Sequence, residues 1–228
     1  MNGPPIRIVT VSRELGSGGS EFAAGLGARL GWPVLDHGVV HRIAERLRMD
    51  DSTVEHLDEH PPSLLARIAS FLVIPQPELY EFPPPGGVPD HDRIAHAATR
   101  VIRQAGEHPP LVVVGHGSQC IFAGRPDALH VFMHGPLEAR TRRVIERLGV
   151  KPAAAAAVVQ RADLERAAYV QRYFHTDWRT PALYDLQFFT AKIPVADAVA
   201  VVERLVRERM AAPVAEGRGT GPGTAHAG

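Results

Sequence analysis

The run Ile8-Val9-Thr10-Val11-Ser12-Arg13-Glu14-Leu15-Gly16-Ser17-Gly18-Gly19-Ser20-Glu21 places an apolar segment, a glycine-rich turn and a helix start in direct succession. Such a strand–turn–helix aims backbone N–H groups at an anion, and the helix dipole adds to the attraction. Gly16, Ser17, Gly18, Gly19 and Ser20 are therefore the candidate phosphate nest, with a plain tight turn as the alternative. Laid on this run, the pattern G-x-x-x-x-G-K-[ST] puts its first glycine at Arg13 and its lysine at Gly19, so only Gly18 and Ser20 fit. The chemistry to expect is phosphate binding in which another cation does the work of lysine. Arg13 is the nearest candidate, with Arg140 and Arg143 as others; the alternative for Arg13 is a structural ion pair with Glu14 or Glu21. The Ser20 hydroxyl falls where a Mg²⁺ bridging ATP phosphates would take a ligand.

Three further groups could carry chemistry. Asp36 and Arg42 flank a strand-to-helix junction, where the bland reading is an N-cap and a solvated face. Gly115-His116-Gly117 follows an apolar run and sets a short, largely neutral imidazole between two glycines. Asp163 and Arg166 share one helical face, either as a functional pair or as a routine ion pair.

Other chemistries find no support. The twelve histidines show no zinc spacing and no Ser-His-Asp or G-x-S-x-G arrangement emerges. Cys120 is the single cysteine, which excludes a disulfide framework and a cysteine metal cluster. A formal net charge of zero gives no general attraction for nucleic acid or membrane. Of the 25 basic residues only Lys151 and Lys192 are lysines, so any charge clamp on phosphate must be mainly arginine. No run is long enough to span a membrane and no basic-then-apolar leader opens the chain, which makes the cytoplasm the expected compartment.

The elements that must position these residues follow from hydrophobic period and from glycine and proline punctuation. Strands are expected at Ile6–Val11, Trp32–Leu35, Leu111–Val114, Leu129–Met133 and Leu186–Phe189. Helices are expected at Ser20–Leu30, Val39–Leu47, Ile94–Ala105, Pro136–Leu148, Pro152–Tyr173 and Val195–Met210. Residues 50–90, rich in proline, read as an acceptor-binding insertion or a surface loop, 150–180 as a lid region, and 211–228 as a disordered tail. At 228 residues and 45% hydrophobic content the chain suits a single α/β domain over 1–210: a three-layer parallel sheet with helices on both faces. Ligands in such folds gather at the carboxyl ends of the strands, where the Gly16 loop, Asp36, Gly115–Gly117 and His134-Gly135 all fall.

The chain resembles the cytidylate kinase-like family, a branch of the P-loop nucleoside monophosphate kinases. Four blocks carry the resemblance: Thr10–Gly19; Leu35-Asp36-His37-Gly38-Val39-Val40-His41-Arg42; Val113–Gly117; and Asp163–Tyr169 with Asp177-Trp178 and Tyr184-Asp185-Leu186. Together they span about residues 6 to 205. The resemblance implies a P-loop fold, ATP and Mg²⁺ as cofactors, and phosphoryl transfer to a small-molecule nucleotide, CMP or dCMP first. It implies that Arg42 binds the acceptor monophosphate with Asp36 ordering that site, and that Arg166 clamps the transferred phosphate with Asp163 orienting it. It also implies an arginine where His116 stands, an arginine where Ser20 stands, and an asparagine where Phe189 stands. Arg13 and Arg143, with Asp163 and Arg166, are the expected catalytic set. The alternatives are a kinase for another small-molecule acceptor, and a nucleotide-binding protein without turnover.

Overall fold

A computed structural model describes residues 3–36, 38, 40, 91–149 and 151–211. Five parallel strands form the sheet: β1 (Ile8–Arg13), β2 (Val34–Leu35), β3 (Leu111–Val114), β4 (Ala128–His134) and β5 (Leu186–Phe189), in the order β2-β3-β1-β4-β5. The order puts β1 in the middle with β3 and β4 as its neighbours, so the loop leaving β1 has sheet on both flanks. The helices are α1 (Gly19–Leu30), α2 (His91–Ala105), α3 (Ser118–Ile121), α4 (Leu137–Leu148), α5 (Pro152–Phe174) and α6 (Val195–Ala211).

Strand alternation assigns the two faces. Val9 and Val11 of β1 pack with Phe22, Ala23 and Leu26 of α1 and with Val199, Val202 and Val206 of α6. Ile8 turns the other way, into a cluster with Val101 and Ile102 of α2, Val113 and Phe122. All four β3 residues are buried, as a strand covered on both faces requires. Each large side chain buried in these layers contributes about 1.5–3 kcal/mol, enough to hold the strand ends in fixed relative positions.

Two smaller clusters bind the outer helices to the site. Leu15, the second residue past β1, is buried against Val144 of α4 and against Val159 and Ala162 of α5. Phe132 of β4 packs with Val170 of α5 and Trp178. The glycine loop is thus tied to the α4–α5 pair by its own apolar side chain.

The expected strands and helices from 91 onward appear with ends moved by up to three residues, and β1 runs on to Arg13 because it pairs with Met133 on β4. The short α3 is additional: Gly117 at φ 65 starts it directly after β3. The helix expected over 39–47, Val40 apart, lies outside the described residues, as do Arg42, the 50–90 insertion and the tail beyond 211. Among the described residues no helix is long and apolar enough to cross a membrane.

Candidate phosphate-binding site

The loop from β1 to α1 is shaped by two left-handed glycines, Gly16 at φ 78 and Gly18 at φ 86. Other residues rarely adopt that backbone, and here they would also collide: a Cβ on Gly16 would lie 2.4 Å from the Arg140 carbonyl oxygen. The fold commits some loop amides and spares others. Glu14 N–H donates to Met133 O, Leu15 N–H to Asp163 Oδ1 at 2.8 Å, and Ser17 N–H to Glu14 O. The amides of Gly16, Gly18, Gly19 and Ser20 bond no acceptor among the described residues. Four uncommitted N–H groups round one turn, with the first turn of a 12-residue helix behind them, form the candidate anion cradle.

The Arg13 side chain runs from Gly19 to the end of β3. Its stem crosses Gly19 so closely that a Cβ there would lie 2.4 Å from Arg13 Cβ and 2.6 Å from its Cγ. Its head reaches the end of β3, where a Cβ on Gly115 would lie 2.3 Å from Nη1. The residue is 8% exposed. Gly19 and Gly115 are therefore the space through which Arg13 passes.

Beside the loop lies a buried charge network. Arg140 donates through Nε to Gly135 O and through Nη1 to Leu15 O and to Asp163 Oδ2, the last at 2.8 Å; its Nε also stands 3.2 Å from Glu14 Oε2. Asp163 in turn accepts from the Leu15 amide and from Arg166 Nη1. Arg140 is thereby spent on holding the loop to α5, which leaves Arg143 as the α4 cation nearest the cradle. Arg143 Nη1 approaches Gly16 O at 3.4 Å and sits 2.7 Å from where a Gly18 Cβ would be. Ser20 is half-buried in the first turn of α1. Among the described residues no group of three His, Cys, Asp or Glu side chains could hold a metal ion. Ser20 Oγ is the loop hydroxyl that could ligate a Mg²⁺, which would take its other ligands from phosphate and water.

Past β3, Gly115, His116 and Gly117 all have positive φ, at 74, 54 and 65. His116 meets Tyr169 of α5 edge-on at 6.2 Å, and Gly117 is packed under the Phe174 ring. Burial pushes the Tyr169 phenol up to about 12, so it remains a neutral donor. Behind the turn, Ser12 Oγ donates to Gln119 Oε1 at 3.0 Å, with both residues buried.

Of the residues singled out in the sequence, the structure gathers Arg13, the Gly16–Ser20 loop, Arg143, Asp163 and Arg166 at the carboxyl end of β1. His116 stands on the β3 side. Asp36 stands after β2, one strand further out, where its carbonyl accepts the Val40 amide. Sequence reading missed Arg179, whose Nη2 donates to Glu14 Oε1 at 2.8 Å across 165 positions, and it missed Tyr169 as the neighbour of His116. The Asp177-Trp178-Arg179 run was the available signal for the first.

A five-stranded parallel sheet with helices on both faces, and a glycine loop passing from its middle strand into a helix, defines the fold of the P-loop nucleotide kinases. The chain belongs to the cytidylate kinase-like family, whose model matches residues 8–192. Among solved structures it is similar to an uncharacterized protein from Eubacterium ventriosum, at 20% identity and a TM-score of 0.64, over 88% of this chain and 98% of that one. It also matches a shikimate kinase from Bacteroides thetaiotaomicron at 12% identity and a TM-score of 0.48, over 88% and 98% of the two chains. A gluconokinase from Sinorhizobium meliloti matches at 18% identity and a TM-score of 0.48, over 91% and 97%. No curated protein matches the sequence. Family and fold together make this a kinase-like phosphotransferase scaffold of the nucleoside monophosphate kinase superfamily.

Proposed function

We propose that the protein transfers the γ-phosphoryl group of ATP to a nucleoside monophosphate, with CMP and dCMP as the first candidates. The observation that carries this reading is the pairing of an amide-lined loop with an arginine whose stem packs against Gly19, the position where the usual loop has lysine. ATP with Mg²⁺ supplies the transferable phosphoryl group. An acceptor phosphate oxygen bonds to Pγ as the bond from Pγ to the ADP oxygen breaks, yielding ADP and a diphosphate.

In this reading the free amides of Gly16, Gly18, Gly19 and Ser20 hold the donor phosphates and the Ser20 hydroxyl ligates Mg²⁺. The Arg13 guanidinium neutralises charge that grows between the phosphates, with Arg143 and Arg166 adding to it. Asp163 acts as a positioning residue: it fixes Leu15, Arg140 and Arg166 relative to the loop. Asp36, Arg42 and His116 serve the acceptor. A second reading keeps ATP and changes the acceptor to another small metabolite; its support is the His116 turn, which meets an aromatic ring in Tyr169.

The test is ADP formation with Mg²⁺·ATP and each of CMP, dCMP, UMP, AMP and GMP, with the diphosphate product followed separately. Arg13→Met keeps an unbranched stem over Gly19 and removes the charge. Loss of a single charge-stabilising group costs about 10²–10³-fold in kcat, and that loss, measured well below the variant's own melting temperature, is the expected result. Nucleotide binding without turnover on any acceptor would replace the kinase reading with that of a nucleotide-binding protein.

A further inference from the structure

Resting on the phosphotransfer reading above, we propose that Arg179 is a ligand for the terminal phosphate, held on Glu14 at the mouth of the loop until ATP binds. Glu14 carries two arginines in contrasting surroundings. Arg140, its side chain 7% exposed, commits Nε to Gly135 O and Glu14 and Nη1 to Leu15 O and Asp163. Arg179, its side chain 53% exposed, commits only Nη2, to Glu14 Oε1 at 2.8 Å, with Asp163 Oδ2 at 4.0 Å. Its Nε and Nη1 bond no described residue.

The head is nevertheless delivered to one place. Arg179 N–H donates to Asp177 Oδ1 and Thr180 N–H to Asp177 O, which closes a turn beneath it. The guanidinium lies 5.7 Å from the ring centroid of Trp178, itself 3% exposed. Cation and ring attract, so the anchor constrains the side chain without using its donors.

Topology gives Arg179 a flank of its own. Arg13 runs past Gly19 toward Gly115, at the end of β3. Glu14 is bonded to the Gly135 amide, just past β4, and β4 lies on the other side of β1. The two cations therefore approach the loop from opposite sides. A partly exposed ion pair is worth little, whereas an arginine fork on a multiply charged phosphate is among the stronger contacts available. When Arg179 leaves, Glu14 still holds Arg140 Nε and the Gly135 amide, each at 3.2 Å, so no buried carboxylate is stranded.

Calorimetric titration of the full chain with Mg²⁺·ATP and with Mg²⁺·ADP separates the possibilities. Arg179→Ala is expected to weaken ATP about tenfold and to leave ADP within roughly a factor of two, with partial recovery in Arg179→Lys. Arg204→Ala, on the exposed face of α6, is the control for loss of surface charge. Equal weakening of ATP and ADP, or of neither, overturns the assignment; Arg179→Gln gives the same readout if the alanine variant does not fold. Failure of the wild-type chain to bind either nucleotide would overturn the phosphotransfer reading itself, and this inference with it.

Discussion

Arg13 and Gly19 should behave as one unit in mutagenesis. Gly19 has no side chain because Arg13 fills that space: a Cβ at 19 would meet Arg13 Cβ at 2.4 Å and Cγ at 2.6 Å. Those atoms are the root of the arginine side chain and move only with the end of β1, so Gly19→Lys forces a shift of strand or loop. Overpacking of this kind costs about 1–3 kcal/mol, or about 2–4 °C of melting temperature for each kcal/mol in a chain of this size. Arg13→Gly clears the space but discards a buried stem, and a glycine within a strand costs roughly 0.5–1 kcal/mol besides. Combined, Arg13→Gly and Gly19→Lys complete G-x-x-x-x-G-K-S, with Gly18 and Ser20 already in place. The double variant should regain the clash energy and present one cation to the loop again. A double-mutant cycle by urea unfolding should give a favourable coupling of about 1–3 kcal/mol, and the double variant should bind Mg²⁺·ATP better than either single one. Additive stabilities, within about 0.5 kcal/mol, would refute the steric argument for Gly19.

Two further outcomes are expected. Asp163→Asn should unfold at markedly lower urea, because it removes charge from a carboxylate that is 7% exposed between Arg140 and Arg166; breaking such a buried pair costs about 3–5 kcal/mol. His130 is held below the usual imidazole range, first by burial, against the opposing pull of Asp185, and its Nδ1 lies 2.8 Å from Thr10 Oγ1. The unfolded chain then takes up the proton more readily, so this contribution is complete above about pH 6.5 and declines as pH falls below it. The urea midpoint measured from pH 8 to pH 5.5 should drop more steeply for the wild type than for His130→Gln.

The sequence by itself determined the order of the elements and the position of the glycine turn. Apolar period and glycine punctuation are local properties, and they carry through to α1 ending at Gly31 (φ 68) and to β3 at Leu111–Val114. The same local signals showed that the lysine position holds glycine. What filled its place was open between Arg13, Arg140 and Arg143, since each lay near the loop by chain order or by resemblance.

Only the tertiary structure decided how those arginines are divided. Arg140 turns inward because Asp163, 23 positions away, and the Gly135 and Leu15 carbonyls take its Nε and Nη1 donors. Arg13 passes from Gly19 to Gly115 because strand alternation points it toward α1 and two glycines leave it a channel. Arg179 reaches Glu14 only because α5 folds back over β4. Spacing along a chain fixes which residues share a helix face or a strand face. Which charge meets which carboxylate across the sheet depends on packing between elements, and no local pattern encodes it.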